Sequence, residues 1–344
     1  MDVFELLAGE YETVNYAHDP ESGLRCIIAV YSTALGPALG GTRFYPFPSE
    51  EAALRDVLRL ARAMAFKASA AELDLGGGKA VVIGDPRTDK TPELLQAYGR
   101  AVERLGGAYI TTADVGTTSA DMDVIATATR FVTGTSSRSG DPSRVTAYGV
   151  WHGMKAVAQE LWGDPSLAGK HVAVQGLGKV GSGVARHLAS EGAQLTIADV
   201  DLDRVRDLAS ELGGAEVVAA DEILGVPCDI LAPCALGAVV NDASLPALKT
   251  RAIAGAANNQ LERPEHGDAL TEAGILYAPD YVINAGGLIN VEDELHGYDE
   301  QRALAKAAAI GDRLRNVFAR ARADGISTAA AADRIAGDRI RAGR

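Results

Sequence analysis

Apolar positions along the chain recur with two spacings, alternation and helical periodicity, and the two give way to one another from segment to segment. Residues 11–17 and 24–32 read as two strands around the turn Asp19-Pro20-Glu21-Ser22-Gly23. Cys26 falls inside the second apolar run, where a core thiol is expected rather than a nucleophile. Ser49 then caps a helix with Glu50 and Glu51 in its first turn, the favourable sign for the helix dipole. Its apolar stripe is Leu54, Val57, Leu58, Ala61 and Met64, and the same spacing carries on to Lys67. A lysine on such a stripe costs free energy unless its charge is partnered. The alternative is a side chain that runs out to solvent from the helix end. Thr91-Pro92 predicts a second helix, a cap and a first-turn proline, ending at Gly106. Residues 109–116 read as a strand and 119–130 as a helix, and a further helix starts at Thr146 and stops near Gly163. Far along the chain, Ile310, Leu314, Val317, Phe318 and Ala321 share one helical face. Gly325 ends that helix, and the alanine-rich residues 327–341 predict one more.

Glycine-rich stretches interrupt this pattern. Gly36-Pro37-Ala38-Leu39-Gly40-Gly41-Thr42-Arg43 reads as a loop, either facing a ligand with bare backbone N–H groups or a plain structural turn. Gly76 to Gly78 lead into an apolar strand whose first residue is Lys79, so its ammonium is expected at the rim of a sheet beside bare backbone. Asp114 and Gly116 close the strand from Tyr109, and Asp114 is either functional or a turn aspartate. Residues 134–143 are rich in Gly, Ser and Thr, contain Asp141-Pro142, and predict a domain boundary.

The most specific stretch runs from His171 to Asp199. Val172 to Val174 suit a buried strand, and Gly176, Gly178 and Gly181 then fit G-x-G-x-x-G. Val180, Val184 and Leu188 follow at helical spacing, Gly192 stops the helix, and Leu195 to Ala198 make a second strand ending at Asp199. In this order the first glycine permits a tight turn and the second lets the backbone approach a pyrophosphate. The third lets helix and strand pack closely, with the pyrophosphate on the helix N-terminus. The terminal acid can accept hydrogen bonds from a ribose and would repel a ribose phosphate, which favours NAD over NADP. Arg204 and Arg206 lie close by in sequence. The stretch therefore predicts a Rossmann unit. Beyond it, 228–234, 252–256 and 281–283 read as strands ending in polar or glycine-rich residues, where an open α/β sheet holds its ligands.

Composition narrows the function classes. A chain of 344 residues is comfortable for two domains, and 47% hydrophobic residues can fill both cores. Thirty-three basic against 46 acidic residues give a net charge of −13, which argues against nucleic acid or an anionic membrane as partner. No apolar run approaches the ~20 residues of a membrane span. The acidic start Met1-Asp2-Val3-Phe4-Glu5 does not look like a signal peptide. Cys26, Cys228 and Cys234 have no C-x-x-C spacing, which fits reduced structural thiols and a cytoplasmic location. The six histidines form no H-x-x-x-H pair, so no metal is expected.

Several stretches taken together carry a resemblance. They are Gly36 to Arg43, Met64-Ala65-Phe66-Lys67, Gly76-Gly77-Gly78-Lys79, Thr112 to Thr117, Gly176 to Gly181, Ala232-Pro233-Cys234-Ala235, Gly255 to Asn259 and Asn284-Ala285-Gly286-Gly287. Spread in order over nearly the whole chain, they resemble the glutamate/leucine/phenylalanine/valine dehydrogenase family, most nearly its valine and leucine branch. The resemblance implies an α/β protein of two domains with a cleft between them. Residues 1–142 plus 318–344 would form the substrate-binding and oligomerisation domain, and 143–317 the NAD-binding Rossmann domain. It implies a homo-oligomer acting on a small amino acid and its 2-oxo acid.

The resemblance also implies roles. Lys67, helped by the backbone at Gly40, would clamp the substrate carboxylate; Lys79 would be the general acid/base and Asp114 would exchange protons with the amino group. Thr146, Asn258 and Asn259 would position nicotinamide and substrate. Gly176, Leu177, Gly178, Lys179, Val180, Gly181, Asp199, Cys234, Ala235 and Asn284 would complete the cofactor site. Leu39, Thr112, Leu288 and Val291 would line the side-chain pocket. None of the four is charged, so a glutamate carboxylate would lack a partner, and the bulk of Leu39 and Leu288 favours valine, leucine or isoleucine. The implied reaction is the reversible oxidative deamination of an L-amino acid with NAD. Two other readings stand beside it: an aromatic amino-acid dehydrogenase of specialised biosynthesis, and an NAD-binding sensor without catalysis.

Overall fold

The structure is a computed structural model that describes Leu7, residues 11–137 and residues 140–343. The acidic start of the chain, Met1 to Glu5, and two residues of the glycine- and serine-rich stretch at 134–143 lie outside the described residues. The chain divides into two compact units. One holds the described residues of Met1–Gly140 with Val291–Tyr298 and Ala336–Arg344; the other holds Asp141–Asn290 and Asp299–Ile335. Among the described residues, no helix is long and apolar enough to cross a membrane.

The first unit is built on strands β1 (Thr13–Asp19), β2 (Leu24–Ser32) and β3 (Ala38–Tyr45), helix α1 (Glu50–Ala70), strand β4 (Gly76–Ile83), helix α2 (Pro92–Glu103), strand β5 (Tyr109–Ala113) and helix α3 (Ser119–Ala126). The sheet order is β1-β2-β4-β3-β5. The first two strands form the expected hairpin, and β3 runs parallel to both of its neighbours. Alternation along β2 sends its side chains to two covers. Cys26, Ile28 and Val30 pack with Leu94 and Tyr98 of α2 and Met122 of α3. Tyr31 points the other way and meets Phe66 of α1 edge to face, ring centroids 6.2 Å apart. Burial pushes the Cys26 thiol up to about 12, as suits a core thiol. Ser49 Oγ caps α1 by accepting the Ala52 N–H at 3.1 Å.

Two expectations about glycines are corrected here. The stretch from Gly36 is not a loop beyond Pro37: Ala38 onward is β3, inside the sheet. Likewise Gly76 to Gly78 belong to β4, so Lys79 is its fourth residue and is buried, not at a rim. The reason is steric. A Cβ at Gly77 would overlap the backbone of Ala65, so bare backbone is what lets α1 lie directly on β4.

The second unit comprises α4 (Ser143–Trp162), β6 (His171–Gln175), α5 (Lys179–Ser190), β7 (Gln194–Ala198), α6 (Leu202–Leu212), β8 (Glu216–Val217), β9 (Cys228–Pro233), β10 (Thr250–Ile253), α7 (Glu265–Glu272) and β11 (Leu276–Tyr277). There follow α8 (Asp280–Ile283), α9 (Gly286–Asp293), α10 (Glu300–Ala308), α11 (Ile310–Asp324) and α12 (Thr328–Ala342), of which α9 and α12 continue into residues of the first unit. All six strands are parallel in the order β11-β10-β9-β6-β7-β8. This is a doubly wound sheet whose order reverses between β6 and β9. Helix α4 begins three residues before Thr146, because the Pro142 carbonyl accepts the Thr146 N–H at 3.0 Å. Residues 281–283 are helical, not a strand: Pro279 ends the extended run, and its carbonyl and that of Asp280 accept the Ile283 and Asn284 N–H groups. Gly325, at φ 63°, stops α11 as its position predicts. The last turns of α12 belong to the first unit, where Ser69 Oγ donates to the Ala336 carbonyl at 2.8 Å.

Gly77→Ala is expected to force α1 away from β4 and to cost about 1–3 kcal/mol, the usual range for overpacking. Thermal unfolding checks this, and an unchanged midpoint would contradict the close-approach account.

Candidate active site

Glycines 40 and 41 of β3 run alongside Gly78 and Lys79 of β4, since Leu39 pairs with Gly77 and Thr42 with Ala80. A Cβ at Gly40 would overlap the Gly78 carbonyl. One at Gly41 would stand 2.7 Å from the Asp114 Cβ and 3.2 Å from Lys79 Nζ. Bare backbone thus makes room for a buried charged pair. Lys79 is 5% exposed and its Nζ donates to Asp114 Oδ2. Asp114 follows β5 and is held in turn. Its N–H donates to Thr117 Oγ1 at 2.9 Å, Thr117 Oγ1 donates to the Thr42 carbonyl at 2.9 Å, and the Val115 N–H donates to Asp114 Oδ1 at 2.7 Å.

Burial sets the electrostatics of the pair. It pushes the Lys79 ammonium below its ordinary value; Asp114 opposes that and Arg43 adds to it. For Asp114, burial acts upward, but the Lys79 charge and hydrogen bond, the Val115 N–H and Arg43 outweigh it and hold the carboxyl below the usual range. Beneath the pair, the hydroxyls of Thr42, Tyr98 and Thr111 share hydrogen bonds of 2.5–2.9 Å. Tyr109 donates to the Gly40 carbonyl at 2.6 Å. This buried polar set is fully hydrogen-bonded and fixes β3 against β5 and α2.

The other expected residues of this unit sit as follows. Lys67 lies half-buried in the last turn of α1. Leu39 is buried in β3, and Thr112 is half-buried in β5, paired in register with Gly41. Val291 is half-buried where α9 continues into this unit; Leu288, on the part of α9 that belongs to the second unit, is buried.

In the second unit the glycine motif occupies the β6–α5 turn, at the point where strand order reverses. Gly176 has φ 92°, and a Cβ there would press on Ala235 at 2.6 Å. A Cβ at Gly181 would overlap the Gly176 carbonyl and stand 3.1 Å from Cys234. Cys234 and Ala235 therefore lie against the motif, and the Cys234 N–H donates to the Gln175 carbonyl at 2.7 Å. Gly178 caps α5 without any side-chain bond to the first turn, and a Cβ there would meet open space. Leu177 is buried and its N–H donates to Asp199 Oδ2 at 2.5 Å. The Asp199 carboxyl is raised by burial but lowered more by the Asp201 and Leu177 N–H groups and by Arg204, so it is ionised. Lys179 is exposed and pairs with Asp141 at 2.6 Å; Val180 is half-buried behind it. Thr146 donates to the Pro142 carbonyl at 2.9 Å and lies against Gly286 and Gly287. Asn284 Nδ2 donates to Asn258 Oδ1 at 2.8 Å, while the buried Asn284 Oδ1 has no hydrogen-bond partner. Asn259 is exposed, with φ 51°.

Sequence reasoning gave no role to Arg43, Asp56, Tyr98 or Thr111. Their spacing carries no signal, because contacts made across strands have no fixed separation along the chain.

Three comparisons with known proteins bear on this arrangement. Residues 12–131 match the family model "Glu/Leu/Phe/Val dehydrogenase, dimerisation domain". Residues 139–202 and 198–336 match "Glutamate/Leucine/Phenylalanine/Valine dehydrogenase". A leucine dehydrogenase of Geobacillus stearothermophilus is 54% identical over 344 residues, covering 99% of this chain and 94% of that one. A valine dehydrogenase of Streptomyces coelicolor is 52% identical, covering 96% and 93%. The crystal structure of L-tryptophan dehydrogenase from Nostoc punctiforme superposes with a TM-score of 0.90 at 43% identity, covering 99% of both chains. The chain belongs to the Glu/Leu/Phe/Val dehydrogenase family and is an amino-acid dehydrogenase, an oxidoreductase.

Proposed function

We propose that the protein catalyses the reversible NAD-dependent oxidative deamination of a branched-chain L-amino acid. Amino acid, NAD and water give 2-oxo acid, ammonium, NADH and a proton. The observation that carries this reading is the pairing of buried Lys79 with half-buried Asp114 over the bare backbone of Gly41. A structural lysine has no need of such a place; a proton-transfer lysine does.

Second-unit residues fit a dinucleotide. The uncapped N-terminus of α5 beside Gly178 would receive the pyrophosphate, and Asp199 a ribose hydroxyl. Arg204 is engaged by Asp199 at 3.6 Å and Asp201 at 3.2 Å, which supports NAD over its phosphorylated form. The unpartnered Asn284 Oδ1 suits a carboxamide N–H. Bound NAD would supply the hydride acceptor. The chain's own groups do the rest. Lys67 fixes the substrate carboxylate, so that the α-carbon is presented in one orientation. Lys79, its ammonium disfavoured by burial, takes a proton from the water that attacks the iminium carbon. Asp114 exchanges a proton with the departing amino group and balances the lysine charge.

The side-chain walls would be Leu39, Thr112, Leu288 and Val291. Their bulk and lack of charge, with the leucine and valine dehydrogenases among the relatives, support aliphatic substrates. One methylene is worth only about 1–3 kcal/mol, so valine, leucine and isoleucine should overlap. The match to a dimerisation domain supports a homo-oligomer formed through the first unit.

Lys79→Ala should lower turnover by roughly 10²–10⁴-fold while leaving NADH binding nearly intact, measured by steady-state kinetics and fluorescence titration. Retention of a sizeable share of turnover would remove Lys79 from the chemistry. Because the neutral amine is the active form, kcat/KM for deamination should rise with pH through a limb below the ordinary lysine range. Gly178→Ala meets no steric obstacle in the fold; it should keep the thermal midpoint and weaken NADH binding about tenfold or more, by crowding the pyrophosphate. With a panel of amino acids, kcat/KM for valine or leucine should exceed that for phenylalanine, tryptophan and glutamate. A larger value for an aromatic substrate would transfer the assignment to the aromatic branch.

A further inference from the structure

We propose that Arg43 is a positioning residue that shares the Asp114 carboxylate with Lys79, and that Asp56 of α1 sets how much of that carboxylate Arg43 takes. The inference rests on the reading of Lys79 as the general acid/base. Arg43 stands on β3 between two acids. Its Nη1 donates to Asp56 Oδ2 at 2.8 Å, and its Nη2 lies 3.8 Å from Asp114 Oδ2, the oxygen that Lys79 also holds. The second distance is too long for a hydrogen bond, so Arg43 acts on Asp114 through charge. Arg59 occupies the other Asp56 oxygen at 2.8 Å. Charges thus alternate along one line: Asp56, Arg43, Asp114, Lys79.

The guanidinium is held between the two carboxylates at the expense of its own Nε, which is buried without a hydrogen-bond partner. Leaving such a donor unmet costs about 1–3 kcal/mol. An arginine that served only to tie β3 to α1 could turn to satisfy that atom.

The groups around Lys79 come from every neighbouring element. Strand β3 brings Arg43, the end of β5 brings Asp114, and α1 brings Asp56, exposed Arg59 and Lys67. Strand β2 carries Arg25, exposed at its start, and Cys26, whose side chain lies on the opposite face of the sheet from Lys79. The hydroxyls of Tyr98 and Tyr109 lie in the polar set below. Arg43 favours the neutral amine of Lys79 and Asp56 favours its ammonium. Removing the one charge should therefore do the reverse of removing the other.

The test is the pH profile of kcat/KM for oxidative deamination, with valine as probe, for wild type, Arg43→Gln, Arg43→Lys, Asp56→Asn and Lys79→Ala. Thermal midpoints and NADH binding check that each variant is folded. Arg43→Gln should move the acidic limb to higher pH and lower kcat roughly ten- to a hundredfold, with little change in KM. Asp56→Asn should move the limb to lower pH, and Arg43→Lys should return it toward wild type. A limb that stays in place in folded Arg43→Gln, or that moves the same way in Arg43→Gln and Asp56→Asn, overturns the proposal. If Arg43→Gln does not fold, Asp56→Asn decides: a limb moved down supports the role, and one unmoved or raised overturns it. An inactive Lys79→Ala beside an unmoved Arg43→Gln limb would remove Arg43 alone. An active Lys79→Ala would instead remove the reading on which it rests.

Discussion

A buried ammonium against a carboxylate, Lys79 on Asp114, is the interaction on which the first unit's architecture turns. Its net contribution to folding is small, since taking the Lys79 charge out of water offsets much of its attraction to Asp114. Its cost is visible in the surroundings. Bare backbone at Gly41 clears the space, and Thr117 with the Val115 N–H fixes the carboxylate. Burial pushes the Lys79 ammonium below its ordinary value and Asp114 only partly opposes it, which is the property the proposed proton transfer draws on.

The glycines follow from the same constraint. A strand is normally a poor place for them, because they give up the most conformational entropy and pack nothing. Here they let three backbones approach: β3 to β4 at Gly40, α1 to β4 at Gly77, and the site to the β3 surface at Gly41. Stability lost in the strands is offset by the closely packed apolar cluster on the α2–α3 side, with Phe44, Tyr98 and Tyr109 fully buried.

The second unit is built on a different plan, a parallel sheet with a glycine turn between β6 and α5. Reversal of strand order between β6 and β9 opens a crevice at the carboxyl ends of the strands, and the glycine turn lines it. The Asp199 carboxylate accepts from the Leu177 N–H and so shapes the turn itself.

Local pattern in the sequence was enough for most elements: the caps at Ser49 and Thr91, the stop at Gly325, and the strand–turn–helix around Gly176 all act within a few residues. It misjudged the strands that are rich in glycine, because a glycine signals a loop unless one knows what packs on it. It also took 281–283 for a strand, since a short apolar run has no period of its own. Lys79 and Asp114 could be singled out separately as charges in unlikely places, but their pairing, 35 residues apart, is a product of parallel strand register. Arg43 closes one of the glycine-rich stretches but nothing local gives its side chain a role, and Asp56 gave no sign at all. Sequence therefore determined the elements and the types of chemistry, through forces that reach one or two turns along the chain. Only the tertiary structure decided which charges share a carboxylate, because that depends on strand order, and strand order leaves no local mark.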